Sequence, residues 1–168
     1  MLYASPMAPN PYAAALGDND PATVLATTPA KLKALVAGLS VEQVNTPPAP
    51  GKWSIREIFA HLADCEMAFG FRLRQTLAVD NPVLQPFDQD KWAEHYAAYD
   101  YTTAVAFYEA FRDWNLRFLS TVTDEQKQRG ASHPERGFTP FSVQVAAIAG
   151  HDLHHVSHME KLVASLKS

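Results

Sequence analysis

The stretch SIREIFAHLADCEMAFGFRLRQTLA, residues 54–78, carries the clearest helical signal in the chain. Ser54 and Glu57 form an S-x-x-E capping box, in which each side chain bonds the other residue's backbone N–H at the start of a helix. Apolar side chains then recur at helical spacing: Ile55, Ile58, Leu62, Phe69 and Leu73. This spacing predicts one buried face on a helix that begins after Ser54 and persists to about Ala78.

Three further long helices are predicted around this one, and no segment shows the alternation of a strand. The first helix covers about 21–39, although the Thr-Pro pair at 28–29 also fits a start there. The third runs from about 102 to 122. The fourth begins at the Thr-Pro pair at 139–140 and continues to about 166. We therefore predict an all-α fold, a four-helix bundle with a long crossover connection between its second and third helices.

The segments between these helices contain breakers and a few short caps. Residues 45–53, NTPPAPGKW, contain three prolines and one glycine and cannot continue a helix. In the long connection, Asp90 fits the cap of a short helical piece that ends near 99. A capping box at 123–126 predicts one more turn, and RGASHPERGF, residues 129–138, is predicted as a loop.

Length and composition favour one globular domain. A chain of 168 residues, 47% hydrophobic and 19% charged, can bury one core and is too short for two comfortable ones. Residues 1–19 are rich in proline, alanine and asparagine, and we interpret them as a lightly ordered arm. Residues 20–168 are predicted to form the single domain.

Several classes of protein are disfavoured by charge and cysteine usage. The net charge is −4 without a run of Lys or Arg, which argues against a nucleic-acid surface. No apolar stretch approaches the roughly 20 residues of a membrane span, and the N-terminus lacks the basic region of a signal peptide. The single cysteine, Cys65, excludes an internal disulfide and a CxxC motif, so we expect a cytoplasmic protein.

Four of the seven histidines lie within GHDLHHVSHMEKL, residues 150–162. On a helical wheel, His151 and His155 fall within the apolar stripe, whereas His154 lies on its flank and His158 at its edge. Imidazoles spaced i, i+4 stack one turn apart and can reach one metal ion at about 2.0–2.1 Å. Without an ion, two imidazoles in an apolar stripe would need hydrogen-bond partners that such a stripe rarely offers.

A pair of histidines needs a third ligand from elsewhere to form a metal site. His61 lies on the shoulder of the buried face of the 54–78 helix, which is compatible with reaching the pair at 151 and 155. The simpler interpretations stay open at this point: a histidine pair that binds nothing, and a His61 that marks the edge of the core. Cys65 is read most simply as a small core residue.

Two acidic residues stand close to these histidines in sequence. Glu66 and Asp152 are either hydrogen-bond acceptors for imidazole N–H groups or plain surface charges. Asp152 falls inside the apolar arc of its helix, so it is the better candidate for an acceptor. His95 and His133 lie in connections, and we assign them no role.

The segments KWSIREIFAHLADCE, residues 52–66, and AIAGHDLHHVSHMEKL, residues 147–162, together resemble the DinB/YfiT-like superfamily. The resemblance covers about residues 12–166. It implies an up-down-down-up bundle, a homodimer, and a divalent metal held by three histidines. The ligand positions of the family fall on His61, His151 and His155, and we carry no ligand role onto His154 or His158.

The resemblance also implies a range of activities. Relatives include S-transferases and isomerases that use low-molecular-weight thiols, so transfer of such a thiol to a small-molecule electrophile is our first hypothesis. The second is a hydrolase that activates water at the metal, with Asp152 or Glu66 as general acid or base. The third is a non-enzymatic metal- or ligand-binding stress protein, favoured if Cys65 or His158 closes the coordination sphere. Zinc, nickel, manganese and iron all accept imidazole ligands.

Overall fold

The structure, a computed structural model, describes residues 9–166. Four long helices dominate it, and short helical and extended elements join them. In chain order the elements are α1 Ala13–Leu16, α2 Pro21–Val36, α3 Val41–Asn45, α4 Ile55–Ala78, α5 Gln89–Ala93, a 3-10 turn Tyr96–Ala98, α6 Tyr101–Leu119, a 3-10 turn Gln126–Gln128, β1 Gly130–His133, β2 Gly137–Pro140 and α7 Phe141–Leu166.

Helices α4 and α6 lie side by side and run in the same direction. Phe59, early in α4, packs on Tyr101 at the start of α6. Near the other end, the guanidinium carbon of Arg74 lies 4.4 Å from the centroid of the Phe118 ring. Two consecutive helices can be parallel only if the chain between them returns to the starting end. Residues 79–100 make this return, as the predicted crossover requires.

Helix α7 completes the up-down-down-up arrangement. It is antiparallel to α4, because Thr76 near the end of α4 accepts a 3.0 Å hydrogen bond from Gln144 near the start of α7. It is parallel to α2, because Lys31 and Glu160, each in the second half of its helix, form an ion pair at 3.4 Å. The predicted four-helix bundle is therefore confirmed.

The start of α4 follows the capping box. The backbone N–H of Ser54 donates to Glu57 Oε2 at 2.8 Å, and the backbone N–H of Glu57 donates to Ser54 Oγ at 3.3 Å. The helix spans Ile55–Ala78, as predicted. Because α4 packs against both α6 and α7, its buried surface is wider than one apolar stripe and includes polar side chains.

Helix α2 begins at its first predicted start. Asp20 caps it, since its carboxylate accepts from the backbone N–H of Thr23 at 2.9 Å, and Pro21 is the first helical residue. The alternative start at Thr28 is wrong. Thr28 lies inside the helix, and its hydroxyl donates to the Val24 carbonyl at 2.8 Å.

Pro29 lies within α2 without ending the helix. Proline has no N–H, so the carbonyl four residues earlier, that of Leu25, loses its helical donor. Arg112 of α6 donates to this carbonyl at 2.9 Å. A tertiary contact thus replaces the hydrogen bond that the proline removes.

A short helix that the sequence analysis did not predict follows α2. The first helix ends at Val36 rather than near 39, and Gly38 adopts φ +81°, a left-handed conformation that glycine tolerates. Ser40 and Gln43 then form a capping box at the start of α3. The following residues to 54 contain no further helix.

The predictions for the other connections hold in part. Asp88 rather than Asp90 caps the short helix α5, because its carboxylate accepts from the backbone N–H groups of residues 90 and 91. The box at Thr123 and Gln126 is present and leads into a single 3-10 turn. Helix α6 spans Tyr101–Leu119, three residues shorter at its end than predicted.

Residues 129–138 do not form the predicted loop. Strands β1 and β2 pair as an antiparallel hairpin, with Gly130 opposite Pro140. Ser132 bonds the long connection as well, since its carbonyl accepts from the Leu84 N–H at 2.8 Å. The pair at 139–140 therefore belongs to β2, and α7 begins at Phe141.

The part of the N-terminal arm that the structure describes includes helix α1. This helix packs on α7, where Gly150 leaves room for Tyr12: a Cβ at Gly150 would lie 2.6 Å from the Tyr12 carbonyl oxygen. Leu16 is buried among apolar side chains of α2 and α7. Among residues 9–166, no helix combines the length and apolarity needed to cross a membrane.

Candidate metal centre

Three histidine rings from two helices meet inside the bundle. His61 of α4 and His151 and His155 of α7 are each at most 5% exposed. The Nε2 atom of His151 lies 3.2 Å from that of His61 and 3.1 Å from that of His155. The structure thus brings together the three residues that the resemblance implied. His61 lies deeper than its position on the helical wheel suggested.

The contacts between these nitrogens are better suited to a shared cation than to hydrogen bonds. An imidazole nitrogen carries one hydrogen or one lone pair, so His151 Nε2 cannot form two linear hydrogen bonds at once. The Nδ1 atom of His155 is buried without a hydrogen-bond partner among the described residues. Nitrogens that each bind one ion at about 2.0–2.1 Å would be separated by roughly 3.0–3.4 Å.

Burial keeps the three imidazoles neutral. Burial, with a smaller contribution from neighbouring histidines, lowers the pKa of His61 to about 4 and that of His155 to about 3. Burial and then the rings at 155 and 61 lower the pKa of His151 well below its ordinary value. A neutral imidazole has a free lone pair for a metal ion at pH 7, so the donor set fits a divalent cation.

Cys65 lies next to the same nitrogens. Its sulfur is 3.5 Å from His61 Nε2 and 3.9 Å from His151 Nε2. His61, Cys65 and His151 place ligand atoms within 4.8 Å of one another, so this trio overlaps the three-histidine set. We favour His155 over Cys65, because its nitrogen is closer to His151 and binds an ion without losing a proton, whereas burial raises the pKa of the Cys65 thiol, which must lose its proton to become a ligand.

The remaining histidines of α7 lie outside the cluster. His154 and His158 are both exposed, and the His158 ring centroid is 6.4 Å from that of His155. On the other side, Trp53 packs against His61, with 4.8 Å between the ring centroids. Trp53 therefore forms an apolar wall beside His61, and the exposed rings of His154 and His158 lie on the outer side of α7.

The two acidic candidates are paired with an arginine. Arg112 donates to Glu66 Oε1 and to Asp152 Oδ2, both at 2.6 Å, and all three side chains are at most 4% exposed. Asn115 donates to the second oxygen of Glu66 at 2.9 Å. Among the described residues, neither carboxylate bonds a histidine ring. Their role as general acid or base stays a prediction.

The sequence analysis did not single out Arg112, although its position carries a signal. It lies four residues after Tyr108 and seven after Val105, so helical spacing places it on the same face of α6 as these two buried apolar residues. A charged side chain on a buried helix face needs a partner of opposite charge. Burial alone would lower the pKa of Arg112, but Asp152 and Glu66 together raise it well above the ordinary value.

A cavity of about 240 Å³ adjoins the histidine cluster. His61, Cys65 and His151 form part of its wall, whereas His155 lies behind them. Tyr12, from the arm, closes another side, with its ring centroid 5.3 Å from that of His151. The cavity is large enough for a small organic molecule and gives it direct access to the histidine nitrogens.

The fold and the site together define a four-helix-bundle protein in which a buried histidine cluster, a candidate metal site, lies beside a cavity. Comparison with known proteins agrees. The family model described as DinB superfamily matches residues 25–159. This chain belongs to the DinB superfamily.

Relatives and solved structures support this membership. The chain is 31% identical over 138 residues to a protein of Oceanobacillus iheyensis, covering 80% of this chain and 78% of the relative. It is 30% identical over 142 residues to YfiT of Bacillus subtilis, covering 83% and 80%. Both relatives are named provisionally as metal-dependent hydrolases.

Two solved structures share the fold. That of Bacillus subtilis YfiT, described as having an unusual four-helix bundle topology, superposes with a TM-score of 0.80 at 28% identity, covering 88% of this chain and 86% of YfiT. The mycothiol-dependent maleylpyruvate isomerase superposes with a TM-score of 0.65 at 8% identity, covering 82% of this chain and 58% of the isomerase. The second likeness shows the fold alone.

Proposed function

We propose that this chain is a metal-dependent enzyme that transfers a low-molecular-weight thiol to a small electrophile. In this proposal His61, His151 and His155 hold a divalent cation. The supporting observation is the convergence of three buried Nε2 atoms, 3.1 and 3.2 Å apart, beside a cavity. The proposal places the protein in the cytoplasm, where such thiols stay reduced.

Thiol transfer needs a thiolate, the deprotonated form of the thiol, to be stabilised beside the histidines. A bound divalent cation supplies this, since it lowers the pKa of a thiol or a water molecule next to it. The chain itself contributes neutral imidazole donors, a low-dielectric wall around His61, and Tyr12 as a cover that limits water access. Zinc, nickel, manganese and iron are all suited to such a donor set.

The surroundings of the histidines favour thiol transfer over hydrolysis. A deprotonated thiol attacks an electrophile without further help from a protein base, whereas hydrolysis gains from an acid that protonates the leaving group. Glu66 and Asp152 are held by Arg112 at 2.6 Å and are not free for that role. The fold also accommodates thiol chemistry, since the mycothiol-dependent isomerase shares it.

Hydrolysis is the second candidate, because relatives at about 30% identity carry that name. Water would then be activated at the cation, and Asp152 or Glu66 would have to exchange its bond to Arg112 for a contact with the substrate.

A metal-binding stress protein without enzymatic activity is the third candidate. Cys65, 3.5 Å from His61 Nε2, supports it if the sulfur completes the coordination sphere.

Metal content tests the site. We expect protein purified without a histidine tag to contain about one divalent ion per chain, measured by mass spectrometry of the elements. His61→Ala, His151→Ala and His155→Ala should each lose it, and the exposed His154→Ala serves as the matched control with full content. Full metal in His151→Ala would contradict the assignment. Loss of metal in Cys65→Ala would instead favour the closed, non-enzymatic site.

Turnover tests the reaction. Metal-loaded protein is incubated with 1-chloro-2,4-dinitrobenzene and with glutathione, cysteine, coenzyme A or no thiol, and the products are separated by chromatography. We expect the thioether to form faster than in the uncatalysed reaction, and His151→Ala to abolish this difference. Conversion of the electrophile at the same rate without any thiol would contradict transfer and support hydrolysis.

A further inference from the structure

The cavity beside the histidine cluster has a second polar region. Arg72 of α4, His133 of β1 and Arg136 of the hairpin turn all line it, together with the apolar side chains of Phe69, Leu73 and Phe87. None of the three polar residues belongs to the candidate metal centre. The cavity therefore joins a cationic region, an apolar wall and the histidine nitrogens in one space.

Arg72 is held in a defined position. Its guanidinium carbon lies 5.2 Å from the centroid of the Phe87 ring and 6.0 Å from that of Phe69. Its Nη2 atom also donates to the Gln85 carbonyl. Stacking on aromatic faces and one backbone hydrogen bond fix the group, and its other N–H donors remain for a ligand.

Arg72 and Arg136 lack an acidic partner in the part of the chain that the structure describes. Among residues 9–166, no carboxylate oxygen lies within 4.0 Å of the guanidinium of Arg72 or Arg136, although Glu135 lines the same cavity. Other arginines are paired, as Arg112 and Arg129 show. Two unpaired guanidinium groups in one partly enclosed space attract an anion.

The pKa shifts of residues that line the cavity also indicate an excess of positive charge there. Burial lowers the pKa of Arg72, and the positive charge of Arg136, which lines the same cavity, lowers it further. Burial and the same two arginines lower the pKa of His133. An anion between the arginines would relieve this repulsion.

His133 adds a neutral donor to this region. Its Nδ1 atom accepts a hydrogen bond from the Glu135 backbone N–H at 3.2 Å, so its hydrogen is on Nε2. Among the described residues, none forms a hydrogen bond with the Nε2 atom. His133 is 5% exposed, and its place on β1 is fixed by the hairpin register with Gly137.

We propose that Arg72, Arg136 and His133 form a subsite that binds the carboxylate of a small organic acid, whose body lies against Phe69 and Phe87. This assignment rests on the proposed function, because it orients the reacting end of that molecule toward His61 and His151. A guanidinium binds a planar carboxylate through two parallel hydrogen bonds, which suits this chemistry better than a neutral ligand. The thiol or the electrophile carries the carboxylate.

Binding of a matched acid and amide tests the subsite directly. 3-Phenylpropanoate and 3-phenylpropanamide have the same shape and differ in charge, and their affinities are measured by calorimetry. We expect the acid to bind at least about 10-fold more tightly, the effect of one charge-assisted hydrogen bond. Arg136→Gln and Arg72→Gln should reduce the preference to less than about 2-fold, and the exposed Arg117→Gln is the matched control that retains it.

Two results would overturn the subsite: equal binding of acid and amide to the unaltered protein, or a preference that survives in both Arg72→Gln and Arg136→Gln. Arg136 is exposed in the hairpin turn, so its variant should fold even if Arg72→Gln does not. Metal content is measured in the same samples. If the protein contains no metal and has no turnover but still binds the acid more tightly than the amide, the proposed function is contradicted. The carboxylate subsite is then still supported.

Turnover with charged and neutral reagents identifies which substrate carries the carboxylate. N-acetylcysteine is compared with N-acetylcysteine amide on 1-chloro-2,4-dinitrobenzene, and 4-chloro-3-nitrobenzoate with its amide when 2-mercaptoethanol is the thiol. If the acid has a lower KM than its amide in the first pair, and Arg136→Gln removes this difference, the thiol carries the carboxylate. If the same result is found in the second pair, the electrophile carries it. An active enzyme without such a preference in either pair would overturn the substrate assignment.

Discussion

At the scale of the residue, Arg112 forms hydrogen bonds with three other long helices through one side chain. It pairs with Glu66 of α4 and Asp152 of α7, and it also donates to the Leu25 carbonyl of α2. One guanidinium from α6 therefore contacts the other three long helices. Asp152 directly follows His151, and Glu66 lies five residues after His61 on α4. This ion pair therefore helps to fix how α4 and α7 are placed relative to each other.

We predict that Arg112→Met destabilises the protein by about 3–5 kcal/mol, because it leaves two carboxylates buried without their partner. The change in the free energy of unfolding is measured by urea denaturation. Arg117→Met is the control: its ion pair with Asp113 is exposed and screened by solvent, so its removal should leave the free energy of unfolding nearly unchanged. Equal effects of the two substitutions would contradict the role of Arg112.

The histidine cluster predicts an acid-sensitive metal-free protein. In the unfolded chain a histidine titrates near pH 6.5, whereas in the folded chain the pKa is about 4 for His61 and about 3 for His155. As the pH falls below 6.5, the unfolded state therefore takes up protons that the folded state does not. Stability is full above pH 6.5 and decreases as the pH falls toward 4 and 3.

Urea midpoints of chelator-treated protein at pH 7.5, 6.5, 5.5 and 5.0 measure this loss. His61→Leu removes one titrating group and should make the decrease shallower, whereas the exposed His154→Ala should leave it unchanged. A midpoint that stays constant from pH 7.5 to 5.0 would contradict the neutral, buried cluster.

Single residues also show where sequence reasoning reached its limit. The i, i+4 pair at 151 and 155 follows from helical geometry alone, so its placement in the core could be predicted. The depth of His61 could not, because it depends on how α4 rotates between two neighbouring helices. Cys65 and Tyr12 approach the histidines only through tertiary packing, which no local pattern encodes.

At the scale of the element, the two predicted capping boxes were confirmed, whereas single predicted caps and the strand pairing were not. The box at Ser54 and Glu57 places the start of α4 within a residue, because the interaction is complete within four positions. The hairpin at 130–140 was missed, because its strands are four residues long and Ser132 pairs with the distant connection at 82–84. That hairpin supplies His133 and Arg136 to the cavity.

We predict that Gly150→Ala displaces the N-terminal arm without unfolding the bundle. An added Cβ would lie 2.6 Å from both the Cβ and the carbonyl oxygen of Tyr12, and backbone cannot give way as a flexible side chain can. Alanine itself favours the α7 helix by up to about 1 kcal/mol. Hydrogen exchange of the amides of residues 13–17 should therefore accelerate while α4 stays protected.

Gly70→Ala is the matched control, because its added Cβ would meet the Asn115 side chain, 2.5 Å from Oδ1, and not the arm. Exchange in residues 13–17 should stay as slow as in the unaltered protein. If Gly150→Ala also leaves that exchange unchanged, the close approach of Tyr12 to α7 is wrong.

At the scale of the whole molecule, the homodimer implied by the family resemblance stays a prediction. The exposed surface of α4 and α6 offers a site for it, since Phe71 is 64% and Trp114 is 63% exposed. The two helices approach closely where Gly70 meets Asn115, so these aromatic side chains lie on neighbouring helices near that point. Apolar surface of this kind is typical of contacts between protein chains.

We predict that the protein is a dimer in solution and that Phe71→Glu together with Trp114→Glu makes it monomeric, because two buried charges would oppose each other across the interface. Light scattering after size-exclusion chromatography gives the mass. Val41→Glu, which introduces the same charge at a residue 80% exposed on α3, should leave the dimer intact. A monomeric unaltered protein would contradict the prediction.

The cavity includes residues of the N-terminal arm that lie outside the four long helices. A shortened chain that starts at residue 20 would retain every long helix, the three histidines and the Arg112 ion pair. It would still lack Pro9, Pro11 and Tyr12, which line the cavity. Ligand affinities measured on such a truncated protein would describe a more open and wetter chamber than the one that the complete chain encloses.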